Sequence, residues 1–336
     1  MSRIASRATI RDVAVRAGVS PITASRALNR PELVREATQR KVQAAALALE
    51  YLPNLAAQTL TGAKSRMIGV VVPTLANPIF ADALQALSES LSASGYQLLM
   101  GSNEYDLHAE ERLIRTFIAR RADALVLTGG RRTASADNLI RSHRIPMLEI
   151  WNVHSHPRHY MVGLSHYDAA RTMGRYLLSR GYRRIAYIGG RMNNNDRATA
   201  RFRGFLRAMK EGGARVDASL AVETDFSFDG GVAAMAQVLA ERRRPDAVFA
   251  SSDVVALGAY VECRRRGIRI PQDLALAGFD DGPTSALVEP GLTTIRIPRR
   301  EIGLRAAQVA LALIQGQAKV RKAHDLGFEL VVRGSA

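Results

Sequence analysis

The chain has 336 residues, of which 47% are hydrophobic, so it is long enough to form two or three packed units rather than one. Its net charge of +16 favours a polyanionic partner, and its single cysteine, Cys263, excludes an internal disulfide and fits a reducing compartment. The sequence shows no apolar N-terminal run typical of a signal peptide and no stretch long enough to cross a bilayer. We therefore expect a cytoplasmic protein.

The first 66 residues hold the densest positive charge, 11 Lys and Arg against 4 Asp and Glu. Thr9 and Asp12 have the spacing of a capping box, which predicts a helix that ends at Gly18. Ser20 caps a second predicted helix, residues 20–29, whose first turn contains Pro21. A third helix is expected at about 35–50, with Val42, Ala45, Ala46 and Leu49 directed at a small core. Two helices joined by a tight glycine-containing turn indicate a helix-turn-helix.

Residues 53–65, PNLAAQTLTGAKS, form a short helical candidate bounded by Pro53 and Gly62. A helix of this length is too short to be stable alone. The segment is either a passive linker or a helix that forms only against DNA.

From residue 67 onward, short apolar runs alternate with helical stretches. The runs are MIGVVVP, YQLLMG, ALVLTGG, PMLEIWN, RRIAYIGG, SLAVET, DAVFASSD and DLALAGFDD. This alternation predicts parallel sheets covered by helices on both faces, in two doubly wound lobes. Ligands of such sheets bind at the carboxyl ends of the strands.

The stretches TIRDVAVRAGVSPITASRALN and YLPNLAAQTLTG, followed by two parallel-sheet lobes, resemble the LacI/GalR family of bacterial transcription regulators. The resemblance implies an N-terminal all-α helix-turn-helix DNA-binding domain and an α/β periplasmic-binding-protein-like domain of two doubly wound parallel-sheet lobes. The implied boundaries are 1–52 for the DNA-binding headpiece, 53–66 for a hinge helix and linker, and 67–336 for an effector-binding and dimerisation domain. Within the last domain, lobe 1 is expected at about 67–162 and 292–323, and lobe 2 at about 163–291 and 324–336.

The same resemblance implies which residues contact a near-palindromic, double-stranded operator. They are Thr9, Ser20, Pro21, Ile22, Thr23, Ser25, Arg26, Asn29, Asn54, Ala57 and Leu60. Arg26 is suited to pair with guanine, Pro21 and Ile22 to sense shape or a thymine methyl, and the small polar side chains to bind phosphates. Leu60 matches the family's leucine that wedges into the minor groove when two subunits bind as a homodimer.

Within that family the chain is most similar to the gluconate-operon repressors, through LEIWNV, VGLSHYDAARTM, VECRRRGIRIP and the C-terminal DLGF. A repressor relieved by gluconate or 2-ketogluconate is therefore expected, with no other cofactor. The residues that match effector-pocket positions or lie beside them are Asn77, Phe80, Glu149, Trp151, Asn152, Arg201, Phe226, Ser252, Asp253 and Asp280. Arg201 is expected to hold a carboxylate, and the acidic side chains to accept from hydroxyls.

Some of these residues have a second interpretation. Asp253 either contacts the ligand or caps the helix that starts near Val254. Glu149 either accepts from ligand hydroxyls or is paired with an arginine. Trp151 and Phe226 fit the hydrophobic core as well as a ligand-stacking role.

Other classes of function are disfavoured by the sequence. It contains no phosphate-binding loop, dinucleotide-binding or nucleophile-elbow motif, so an enzyme is not expected. The histidines His154, His156 and His159 are expected in a surface loop rather than a metal site. A regulator that needs a sugar- or purine-type co-repressor, or a solute-binding protein, remains the alternative to an inducible repressor. A dimer is expected rather than a tetramer because no apolar heptad tail follows FELVVRGSA.

Overall fold

The structure, a computed structural model, describes residues 8–52, 64–154 and 157–336. The chain divides into two compact units, one that ends at Ser65 and one that begins at Arg66. Among the described helices, none combines the length and the apolar character that a bilayer crossing requires.

Three helices form the N-terminal unit: α1 (Ile10–Ala17), α2 (Pro21–Asn29) and α3 (Glu36–Ala48). The predicted capping box is present, since the Thr9 hydroxyl accepts from the Asp12 amide and the Asp12 carboxylate accepts from the Thr9 amide. Gly18 follows α1 in the left-handed region, with φ of 67°, which allows Ser20 to cap α2 two residues later. The small core contains Val13, Ala14, Ala24, Ala27, Val42, Ala45 and Ala46, with Leu49 packed against it.

The second unit alternates strands and helices. Its strands are β1 (Met67–Val72), β2 (Gln97–Ser102), β3 (Ala124–Thr128), β4 (Met147–Ile150), β5 (Tyr160–Gly163), β6 (Ile185–Gly190), β7 (Ala221–Thr224), β8 (Ala247–Ala250), β9 (Ala275–Ala277), β10 (Thr294–Arg296), β11 (Ala323–Asp325) and β12 (Glu329–Val331). Its helices are α4 (Ala81–Ser92), α5 (Leu107–Ala119), α6 (Ala134–Ser142), α7 (His166–Ser179), α8 (Asp196–Glu211), α9 (Phe228–Ala240), α10 (Asp253–Arg265) and α11 (Arg299–Ile314).

Two parallel sheets organise this unit into two lobes. Lobe 1 has the strand order β11-β5-β4-β3-β1-β2, and lobe 2 has β7-β6-β8-β9. Side chains from both faces of the first sheet are buried, so that Val70 and Val72 belong to one core cluster and Val71 to another. The doubly wound α/β architecture predicted from the apolar runs is therefore confirmed.

The chain passes between the lobes at three places, and the structure draws the lobe boundaries differently from the sequence. Strand β11 pairs with β5, so residues 324–325 belong to lobe 1 rather than to lobe 2. Leu292 packs in the lobe 2 core, and the Thr293 carbonyl accepts a hydrogen bond from the Gly278 amide, so the return to lobe 1 occurs after residue 292. A short antiparallel pair, β10 with β12, completes the crossing region.

Candidate functional site

A cavity lies between the lobes, where the carboxyl ends of the strands meet. Seven of the ten residues predicted from the sequence line it: Asn77, Phe80, Trp151, Arg201, Phe226, Ser252 and Asp280. Each stands at or beyond a strand end, except Arg201, which projects from the second turn of α8. The parallel topology thus brings together residues that are far apart in the chain.

Two arginines line this cavity, Arg197, which is paired with Asp196, and Arg201, which is buried. The Arg201 guanidinium carbon lies 5.4 Å from the centre of the Phe226 ring and 5.0 Å from that of Phe279, so both rings make cation–π contacts with it. Its Nη1 is 3.1 Å from Nδ1 of His166, whereas Nε has no hydrogen-bond partner among the described residues. Burial lowers the pKa of Arg201 from its ordinary value, although a guanidinium stays charged at neutral pH.

His166 is neutral in this arrangement. Its Nε2 lies 2.7 Å from the carbonyl oxygen of Trp151 and must donate to it, so Nδ1 accepts from Arg201. Burial, followed by the nearby Arg201 charge, lowers the pKa of His166 well below its usual value. The histidine therefore orients Arg201 without neutralising it.

Asp280 faces the same cavity and accepts from the Ser252 hydroxyl at 2.9 Å. Burial, and after it the charge of Asp253, raises the pKa of Asp280 to about 8 against the opposing effect of Arg201. Asp280 is then largely protonated at neutral pH, and no salt bridge to Arg201 is formed within the described chain. The cavity therefore has an uncompensated cation and suits an anionic ligand.

Aromatic rings form the walls of the cavity. Phe80 and Trp151 meet edge to face, with centroids 5.2 Å apart, and the Tyr105 ring lies 6.1 Å from that of Phe226. Trp151 is only 2% exposed and belongs to a hydrophobic core cluster, so its core and cavity roles coexist. Such walls suit the carbon chain of a polar ligand.

Three predicted residues lie outside the cavity lining, which corrects the sequence analysis. The Glu149 carboxylate is 3.0 Å from both terminal guanidinium nitrogens of Arg132, so the arginine-paired interpretation holds. Asn152 donates to the Asp196 carboxylate at 3.0 Å, which joins the two lobes.

Asp253 is the third of these residues, and it neither caps its own helix nor reaches the cavity. Its carboxylate accepts from the Gly282 amide at 2.9 Å, from the Thr294 hydroxyl at 2.7 Å and from the Ser285 hydroxyl. Residues 282–294 follow β9 and fold back over the start of α10, a tertiary contact that sequence spacing does not indicate.

Six further residues line the cavity and were not predicted from the sequence: Ile79, Tyr105, His166, Asn195, Arg197 and Ile297. Tyr105 and Asn195 follow strands that were predicted. Because ligands bind at the carboxyl ends of parallel strands, the loops that contain these two residues were already candidates. His166 follows β5, which was not predicted, and the signal available for it was the resemblance of the stretch VGLSHYDAARTM, which contains this histidine.

Helix α2 presents the surface that the sequence analysis assigned to DNA. Pro21, Ile22, Arg26 and Asn29 are on its surface, while Ala24 and Ala27 are buried in the three-helix core. The Ser20 hydroxyl accepts from the Thr23 amide at 3.1 Å, and the Asn29 amide group donates to Ser25 at 3.2 Å. Thr9 and Ser20 thus cap helices whether or not they also contact phosphates.

Three of the residues assigned to DNA, Asn54, Ala57 and Leu60, fall outside the described residues, as does His156. His154 and His159 belong to no group of three or more His, Cys, Asp or Glu side chains placed to hold a metal in the described part of the chain.

Comparison with known proteins matches both units. Residues 9–54 match the family model of bacterial regulatory proteins of the lacI family, and residues 175–336 match a periplasmic binding protein-like domain. The transcriptional regulator GntR of Pseudomonas aeruginosa is 40% identical over 99% of this chain and 97% of its own.

Solved structures of two regulators are also similar. The transcription regulator GntR of Chromobacterium violaceum is 34% identical, with a TM-score of 0.76 over 80% of this chain and 98% of its own. The lac repressor dimer bound to operator is 28% identical, with a TM-score of 0.85 over 98% of this chain and 99% of its own.

Proposed function

Because this chain belongs to the LacI family of bacterial transcriptional regulators, we propose that it is a homodimeric repressor relieved by gluconate or 2-ketogluconate bound between its lobes. As a member of that family it is a DNA-binding regulator and not an enzyme. The name GntR of two similar regulators agrees with an effector of the gluconate type.

One observation carries the choice of effector: Arg201 is a buried cation without a carboxylate partner in the described chain. A buried charge that lacks a counter-ion is costly, and a carboxylate that binds it restores the pair. Its unpartnered Nε offers a second donor, so a two-point contact with one carboxylate is available. A neutral sugar has no group that supplies this charge.

The other residues that line the cavity suit a ligand whose carbon chain carries hydroxyl groups. Asn77, Asn195 and Ser252 present amide and hydroxyl groups, and the aromatic walls cover carbon atoms. A protonated Asp280 can both donate to and accept from a hydroxyl without repelling the acid.

On the DNA side, the exposed face of α2 is proposed to enter the major groove, with Arg26 at a base edge. Arg26→Ala is expected to weaken specific operator binding by about 1–3 kcal/mol. By resemblance, Leu60→Ala is expected to weaken operator binding and leave effector binding unchanged.

Relief of repression requires that the effector bind the state that is incompetent for DNA more tightly than the competent one. Tighter binding to the competent state would instead make the ligand a co-repressor. Operator affinity measured with and without the acid decides the sign.

Calorimetric titration of the full chain with gluconate, 2-ketogluconate, glucose and ribose tests the proposal. We expect one of the acids to bind and glucose not to bind. Arg201→Gln should weaken that acid roughly 30-fold or more, because one partner of a buried charge pair is lost. Arg203→Gln, an exposed change on the same helix, is the matched control and should have no effect.

Binding of a neutral sugar or a purine with equal affinity in wild type and Arg201→Gln would contradict the sugar-acid assignment. It would leave the family unchanged.

A further inference from the structure

A second, smaller cavity adjoins the first one. The two cavities share Tyr105 and Arg197 as lining residues. The rest of the smaller cavity is mostly polar and includes Asn103, Glu110, Thr128 and Asp196.

Glu110 is the most unusual member of this lining, because it is a carboxylate that is only 2% exposed. Asn103 donates to its Oε2 at 3.1 Å, but its Oε1 has no hydrogen-bond partner within the described chain. Arg132 forms a buried ion pair with Glu110, but its Nε is 3.8 Å from Oε1, which is beyond hydrogen-bond distance. A buried acceptor without a donor is unfavourable, so a hydroxyl group placed here would be stabilised.

The smaller cavity is lined by two acidic and two basic side chains, so its charges balance. Arg197 is already paired with Asp196 at 3.1 Å, and Asp196 also accepts from the Gly130 amide at 2.7 Å. Arg131 is exposed, at the rim of the smaller cavity. The buried interior of the smaller cavity therefore has acceptor character, whereas Arg201 makes the larger cavity cationic.

We propose that the two cavities form one elongated site, in which Arg201 holds the carboxylate and the Glu110–Asn103 cavity binds the terminal hydroxyls of an open-chain polyhydroxy acid. This inference rests on the proposed function and adds the orientation and the chain length of the effector. An open chain reaches both cavities, and an acid of fewer carbons reaches only the first.

Chain-length dependence tests this arrangement. Wild type, Glu110→Gln and the control Glu111→Gln are titrated at pH 8 with gluconate, which has six carbons, and with erythronate, which has four. Glu111 is the next residue of the same helix and binds Thr133 and Ser135 instead. We expect Glu110→Gln to weaken gluconate roughly tenfold, since a hydrogen bond to a charged acceptor is lost, and to leave erythronate unchanged. Asn103→Ala should act in the same direction if Glu110→Gln proves too unstable to measure.

The other outcomes lead to different conclusions. Equal weakening of both acids by Glu110→Gln would overturn the proposal, since Glu110 would then act through Arg132 rather than on the chain end. Unchanged affinity of both acids would overturn it as well. Wild type that binds neither acid would instead refute the sugar-acid function itself.

Discussion

Replacing Asp253 by alanine distinguishes a structural carboxylate from a ligand contact. The side chain is buried and accepts from the Gly282 amide and from the hydroxyls of Ser285 and Thr294. Each donor left unpaired in the interior costs about 1–3 kcal/mol. Removing the carboxylate also removes the cost of burying its charge, which offsets part of the loss from the unpaired donors. We therefore expect Asp253→Ala to lower the free energy of unfolding by about 3–5 kcal/mol.

Urea unfolding of the full chain, followed by circular dichroism, measures this loss. Asp229→Ala is the matched control, because Asp229 lies in the first turn of the neighbouring helix α9 but is exposed. It should change the unfolding free energy by less than about 1 kcal/mol. An Asp253→Ala variant with wild-type stability and no affinity for gluconate would contradict this structural role, since Asp253 would then act on the ligand.

Other side chains give measurable consequences at a helix cap, in a buried ion cluster and in the cleft. Ser20→Ala removes the α2 cap and should destabilise the N-terminal unit by about 1 kcal/mol, which is measured as a lower melting temperature. An unchanged melting temperature would mean that the hydroxyl contributes only to DNA binding. Arg132→Met leaves Glu110 and Glu149 buried without their cation and should cost about 3–5 kcal/mol in urea unfolding, a loss absent if both carboxyls are protonated. Because the folded pKa of Asp280 is raised to about 8, the folded state holds a proton that the unfolded state releases near pH 4, so stability falls as pH rises from 4 to 8. Asp280→Asn should flatten that urea-midpoint profile, and an equally steep profile would assign the proton elsewhere.

The strands that were predicted share one property: each is an apolar run bounded by turn residues, as in MIGVVVP for β1. The strands that were missed, such as β10 (TIR), β11 (AHD) and β12 (ELV), contain polar or charged residues instead of an apolar run, and they form because a partner strand is already in place. These strands depend on tertiary contacts, so the local sequence pattern does not indicate them.

The candidate site likewise contains residues that the sequence indicates and residues whose role depends on tertiary contacts. Residues that follow predicted strands, such as Ser252 and Asp280, were identified together with Arg201 by resemblance and position. The roles of Asp253 and Glu149 depend on which groups fold against them, namely Thr294 and Arg132, and sequence separation gives no signal of either contact.

The three passages between the lobes have a consequence for the order in which the protein acquires structure during synthesis. Lobe 1 needs α11 and β11, and the core of lobe 2 needs Leu292, so neither lobe can be completed until its C-terminal part has left the ribosome. The N-terminal three-helix unit needs only local contacts and can fold while the rest is still being made. Each newly made chain therefore has a folded DNA-binding unit before it has a cleft that can respond to an effector.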